Sequence, residues 1–196
     1  MADGIAWILQ PYLIDSVTFA LGAEPDELAL RLGARPGDRP RPATSDDVMG
    51  LLADDGVESA VRVGRMGDWS FAVEYGDAAG PTSSGLSAVS ALGVEAVNFS
   101  LSPWNPPSMF TYHHDGACVC SFGLGEESRR WGKNPDLLVP ALTSAGVLPA
   151  LRQLSESDAE RVRRLSVLVI EEHFHLRLPR VAVLDGELPT YVVRAA

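Results

Sequence analysis

The sequence predicts an α+β fold: a mainly antiparallel sheet built from hairpins, with helices packed on one side. Apolar runs with period two are joined by short glycine turns, above all Asp115-Gly116. Helical patterns stand singly between those runs, without the regular βαβ spacing that a parallel sheet requires. One domain over residues 1–196 holds all of them, because 196 residues can bury a core without disulfides or metals.

Residues 16–21 alternate Val17, Phe19 and Leu21 with Thr18 and Ala20, a strand closed by Gly22. A helix follows, with Pro25 at a first helical position, Asp26 and Glu27 at its positive end and Gly33 as its stop. Residues 34–43 carry three prolines and three arginines and read as a loop. Thr44-Ser45-Asp46-Asp47 then caps a short helix ending near Gly56.

A hairpin is predicted over residues 58–75, turning at Gly67-Asp68. A two-residue loop would set Val61 and Val63 on the face opposite Trp69, Phe71 and Val73. A three-residue loop of Met66-Gly67-Asp68, or a bulge, brings all five together and is the expected register.

A helix over residues 84–92 and a strand over 95–101 precede the irregular Pro103-Trp104-Asn105-Pro106-Pro107. Residues 109–114 and 117–122 form the Asp115-Gly116 hairpin. Asn134, Pro135 and Gly146 frame another helix, which Pro140 should kink or break. Ser155 opens the longest helix, running to about His175 with Val162, Leu165, Val169 and Ile170 on its buried face. Residues 181–184 and 191–193 around Asp185-Gly186 suggest a terminal hairpin, with Pro189 confining its strand to an edge.

Charge narrows the function. A formal net charge of -10 opposes attraction to nucleic acid and to anionic membranes, and favours a protein partner that is basic. The amino terminus has an acid where a secretory signal would carry Lys or Arg, and two cysteines are too few for a secreted disulfide framework, so a cytoplasmic location is expected. No cofactor is expected.

The two-residue turn predicts that His113 pairs with Cys118 and Thr111 with Cys120, all on one face. Two thiols and an imidazole suit zinc or copper, and His113, Cys118 and Cys120 are the candidate metal or thiol-enzyme set. Structural zinc needs a fourth ligand, however, and alternating cysteines also serve as small hydrophobes on a buried strand, which is the preferred reading. Glu172 and His175 form a single Glu-x-x-His where a di-iron site needs two, and His173 and His175 are expected on different sides of the helix. The Phe122-Gly123-Leu124-Gly125 segment lacks the Lys-Ser/Thr of a phosphate loop and reads as a strand exit. Candidate partner-binding residues are Trp104 and Asn105 in the proline-rich segment, and Arg130 and Trp131 in a later connection, because tryptophan and arginine are enriched at binding hot spots.

The strand and helix over 16–33, the Val61-Arg62-Val63-Gly64-Arg65 to Trp69-Ser70-Phe71 stretch, Phe110-x-Tyr112 through Ser121-Phe122, Arg130-Trp131-Gly132 and Asn134-Pro135-Asp136 together resemble an uncharacterised domain-of-unknown-function family of high-GC actinobacteria. The likeness runs to about Gly146 and is weaker from Glu171 on. It implies structural signatures and no assigned chemistry.

The expected function is a non-enzymatic binding protein of the bacterial cytoplasm, immunity-like or regulatory, engaging a protein through its acidic surface. The alternatives are the His113, Cys118 and Cys120 enzyme and an accessory protein of a biosynthetic or structural assembly.

Overall fold

A computed structural model describes residues 4–10, 14–101, 106–149 and 155–194. Its centre is one eight-stranded sheet in which every neighbouring pair is antiparallel. In chain order the strands are β1 (Ser16–Leu21), β2 (Arg41–Ala43), β3 (Val57–Met66), β4 (Trp69–Gly76), β5 (Glu95–Ser100), β6 (Met109–His114), β7 (Ala117–Gly123) and β8 (Leu188–Arg194). They lie side by side in the order β2-β8-β3-β4-β1-β5-β6-β7. The helices are α1 (Pro25–Arg31), α2 (Ser45–Leu51), α3 (Ser83–Val89), α4 (Val139–Ser144), α5 (Glu156–Phe174) and α6 (Arg180–Leu184). The fold is α+β, as the patterning predicts.

Helices cover both faces of this sheet rather than one. On the first face Phe19, Phe71, Phe99, Phe110 and Phe122 pack with Val167, Ile170 and Phe174 of α5, Leu142 of α4 and Ile5 and Ile8 of an amino-terminal 3-10 turn. On the second, Ala20, Ala72 and Ala96 lie under Leu28 and Leu32 of α1 and Leu86 and Val89 of α3. Alanines keep that face low, so the two short helices sit close to the strands. Each fully buried phenylalanine contributes about 2 to 3 kcal/mol of apolar burial, which makes the first face the thicker half of the core.

Two buried faces change the β3–β4 register. Met66 pairs with Trp69, Val63 with Ala72 and Val61 with Glu74, so the turn is the two-residue Gly67-Asp68 and not the longer one expected. Gly67, at φ 62, takes the first turn position that only a small residue enters freely. Val61 and Val63 face α1 while Trp69, Phe71 and Val73 face α5. Neither set is exposed, so splitting them carries no burial cost. Gly64 has its own reason, since Phe71 lies where its Cβ would be, with the ring Cζ 2.4 Å from that position.

The carboxyl-terminal hairpin is not formed. Residues Arg180–Leu184 are helix, Gly186 follows its end, and β8 inserts between β2 and β3 instead of lying at the edge. Pro189 is tolerated because it stands opposite Pro42 of the three-residue β2, beyond the reach of β3. The helix expected to start at Asn134 and Pro135 does not start there: residues 135–138 are turns, Leu138 is the N-cap, and Pro140 stands in the first turn of α4, where a proline fits.

Arg62 joins these parts. It is completely buried, and its hydrogen-bond partners among the described residues are carbonyls and a phenol rather than carboxylates. Its guanidinium donates to Ala43 O at 3.2 Å, Tyr75 Oη at 3.1 Å, Val183 O at 2.6 Å and Gly186 O at 2.7 Å. One cation thereby ties β2, β4 and the carbonyl end of α6 to β3.

The two margins of the sheet differ, and the β7 margin is closed to further pairing. On the β7 side, Ser121 and Trp131 exchange two backbone hydrogen bonds of 2.9 Å, and Lys133 N and Asn134 N donate to Cys118 O and Val119 O. On the β2 side the strand is three residues long and carries a proline at its centre, and its ladder with β8 ends at Thr190, so Tyr191–Arg194 run past it.

Candidate functional site

The Asp115-Gly116 turn forms as predicted, with both residues at positive φ (51 and 74). His114 pairs with Ala117 and His113 with Cys118. A bulge at Val119 then shifts the register, so that Thr111 meets Ser121, at 2.8 Å between hydroxyls, and Cys120 meets Tyr112. Cys120 consequently turns into the first-face core and donates its Sγ–H to Pro135 O at 3.5 Å, whereas His113 faces the other layer. The proposed His113, Cys118 and Cys120 triangle does not converge. Among the described residues no group of three His, Cys, Asp or Glu side chains is placed to hold a metal ion. Burial raises both thiols, Cys120 to about 11 with the neighbouring Cys118 adding to it. Cys120 is therefore a core hydrophobe rather than a nucleophile.

Trp104 and Asn105 lie outside the described residues. Arg130 and Trp131 belong to the strap that seals β7. The Arg130 guanidinium forks onto Asp136, with Nε 2.7 Å and Nη2 2.6 Å from Oδ1. Gly132, at φ 125, must be glycine because a Cβ would lie 2.3 Å from Val119 O. Trp131 remains 51% exposed on this fixed support.

The buried carboxylates serve the fold. Glu74 of β4, fully buried, accepts from Ser16 and Thr18 hydroxyls at 3.2 Å and from Gly80 N at 2.9 Å. Asn98 of β5 donates to the same two hydroxyls. Burial raises the Glu74 carboxyl and these donors oppose the shift. Glu127 accepts from Gly125 N and from the Ser166 hydroxyl of α5, so the glycine segment read as a strand exit is pinned by an acid that patterning did not single out.

A cleft of about 450 Å³ opens where the β3–β4 turn, the end of β1 and the start of β5 meet the end of α5. Its floor is aromatic. Phe174 stands 4.8 Å from Tyr112 and 6.4 Å from Trp69, ring centre to ring centre, the latter edge-on. Glu95 and Asp68 line one part of the wall, and His173, His175 and Arg177 another.

His173 and His175 thus share this cleft instead of pointing apart, because α5 ends at Phe174 and His175 adopts a left-handed conformation (φ 55, ψ 35). The Leu176 N to Glu171 O bond of 3.0 Å completes that helix stop, at a position where glycine is usual. Tyr112 Oη donates to Glu95 Oε2 at 3.0 Å. Burial and that partner raise the Tyr112 phenol, so it stays protonated. Partial desolvation, and then His175, lower the His173 imidazole. Arg177 is already engaged, its Nη1 lying 3.2 Å from Glu171 Oε1 and 2.7 Å from Leu176 O.

Further cavities lie among the described residues. One of about 650 Å³ lies between the amino-terminal 3-10 turn and α5, and one of about 230 Å³ beside β8 gathers Arg35, Arg39, Arg41 and Arg194. Among the described residues no helix is long and apolar enough to cross a membrane.

A single antiparallel sheet between two helical layers, strapped along β7 and carrying an aromatic cleft at a sheet end, defines the class. Within it, the chain belongs to DUF6461, a family of unknown function, whose model matches residues 14–174. That span reaches from the strand β1 to the end of α5, so it includes most of the residues around the cleft. No curated protein and no solved structure matches the chain.

Proposed function

We propose that this protein is a non-enzymatic binding protein that engages a basic protein partner through its acidic surface. The observation that carries the reading is Trp131, a half-exposed indole fixed by two backbone hydrogen bonds and set beside the Arg130–Asp136 fork. A rigid aromatic anchor loses little conformational freedom on binding, and such residues dominate interface energetics. The excess of 26 acidic over 16 basic residues supplies long-range attraction to a cationic surface. We read the setting as the bacterial cytoplasm and the role as immunity-like or regulatory.

The test is capture from native lysate with wild type and with Trp131→Ala, eluted by stepped salt. A basic partner should elute as salt rises and should be lost with Trp131→Ala, whose fold is checked by circular dichroism. Recovery of no partner at any salt, or equal recovery by the two proteins, would remove the reading.

A further inference from the structure

We propose that the cleft at the end of α5 binds a small organic cation, an amine or guanidinium carried on a flat apolar body. This site is lined by residues other than Trp131 and is independent of the partner surface.

Shape and chemistry agree. About 450 Å³ falls in the range of small-molecule sites, and these combine an apolar lining with a few placed polar groups. Trp69, Tyr112 and Phe174 are each less than 10% exposed and brace one another, so the floor is formed before any ligand arrives. A braced aromatic lining of this kind receives the apolar body of a ligand.

The polar groups select the charge. Glu95 uses Oε2 to accept from Tyr112, and its Oε1 has no hydrogen-bond partner among the described residues. The Tyr112 hydroxyl has only one proton, and it goes to Glu95, so only its lone pairs face an incoming group. Asp68, exposed on the β3–β4 turn, adds a second acceptor and a second negative charge. The positive charge of Arg177 is largely matched by Glu171, and a His173 with a lowered pKa is neutral near pH 7. What remains of the anionic lining is a pair of carboxylates, Glu95 and Asp68, in a wall shared with the imidazoles of His173 and His175. A ligand bearing N–H donors and positive charge satisfies both; an anion meets like charge.

The test uses the whole protein and three probes of one shape: phenethylamine, its neutral alcohol counterpart 2-phenylethanol, and phenylacetate. Titrations are followed by calorimetry and by shifts of the Tyr112 and His173 ring resonances. Phenethylamine should saturate, and the alcohol and acid should bind at least about tenfold more weakly. Glu95→Gln keeps an acceptor for Tyr112 and should weaken phenethylamine about tenfold, and Asp68→Asn, on an exposed turn, should weaken it by about threefold. Absence of saturation by phenethylamine below about 10 mM, equal binding of phenylacetate, or an affinity unchanged in both variants would each overturn the proposal. Recovery of a basic partner through Trp131 bears on none of these outcomes.

Discussion

Replacing Arg62 by methionine isolates what one buried cation contributes to this fold. Methionine keeps most of the unbranched stem and removes the guanidinium, which leaves Ala43 O, Val183 O and Gly186 O without their present donor. Hydrogen bonds from a charged donor contribute about 1.5 to 3 kcal/mol each, and a buried acceptor left unpaired costs about 1 to 3 kcal/mol. Three such carbonyls give about 3 to 9 kcal/mol. Relief of the cation's own desolvation, several kcal/mol, works the other way. The expected net loss is about 1 to 5 kcal/mol, a sizeable fraction of the roughly 5 to 15 kcal/mol that holds a domain of this kind together.

Urea unfolding at pH 7, followed by far-ultraviolet circular dichroism, measures that loss as a lower midpoint at constant slope. Hydrogen exchange adds the location: amides of α6 and β2 should lose protection first, since the guanidinium is what binds their carbonyl groups to β3. Arg62→Lys should recover little, because a compact ammonium cannot span acceptors spread over two elements. A loss under about 1 kcal/mol, or protection lowered evenly over the whole sheet, would show that Arg62 is not the tie described.

Three further outcomes are expected. Glu74 has a raised pKa in the fold, so its contribution to stability is complete below its unfolded value near 4.5 and is lost as pH rises through the folded value. Glu74→Gln should flatten this part of the stability-against-pH curve, and two parallel curves would contradict the assignment. Gly64→Ala forces a Cβ to within 2.4 Å of the Phe71 ring; overpacking of about 2 kcal/mol, or about 6 °C in Tm, is expected by calorimetry, and an unchanged Tm would refute it. Cys120, buried and with its thiol raised to about 11, should resist disulfide-reagent labelling at pH 8 until the protein unfolds, with Cys118 reacting slowly. Labelling of both at the rate of free cysteine would be incompatible with this packing.

Local chemistry was legible in the sequence wherever one short segment decides the outcome. Asp115-Gly116 required two positive φ angles and obtained them, and Thr44 and Ser155 cap α2 and α5 through their side chains. Register was not legible where it depends on what lies above and below the sheet. Val61 and Val63 pointed to a longer β3–β4 turn only on the assumption of a single buried face, and α1 supplies the second. The bulge at Val119 breaks an alternation of Cys118, Cys120 and Phe122 that by itself gives no sign of an extra residue. Residues 181–184 form an apolar run too short for periodicity to separate helix from strand.

The cleft was the least legible feature, because it gathers side chains from both ends of the chain. His173 and His175 look divergent on a continuous helix and converge only because the helix stops between them. Trp131, by contrast, was visible as an aromatic residue in a connection beside arginine, and the structure leaves it half exposed. Its glycine neighbour marks the close approach to Val119 O.

The strap along β7 restricts how this molecule can meet another on that flank. Growth by strand addition, whether as a designed complex or as an ordered aggregate, requires a row of free amides and carbonyls, and along β7 that row is already stitched by residues 131–134. Recognition on this flank must therefore pass through side chains such as Trp131, and its specificity can change by replacing surface residues without reopening the backbone.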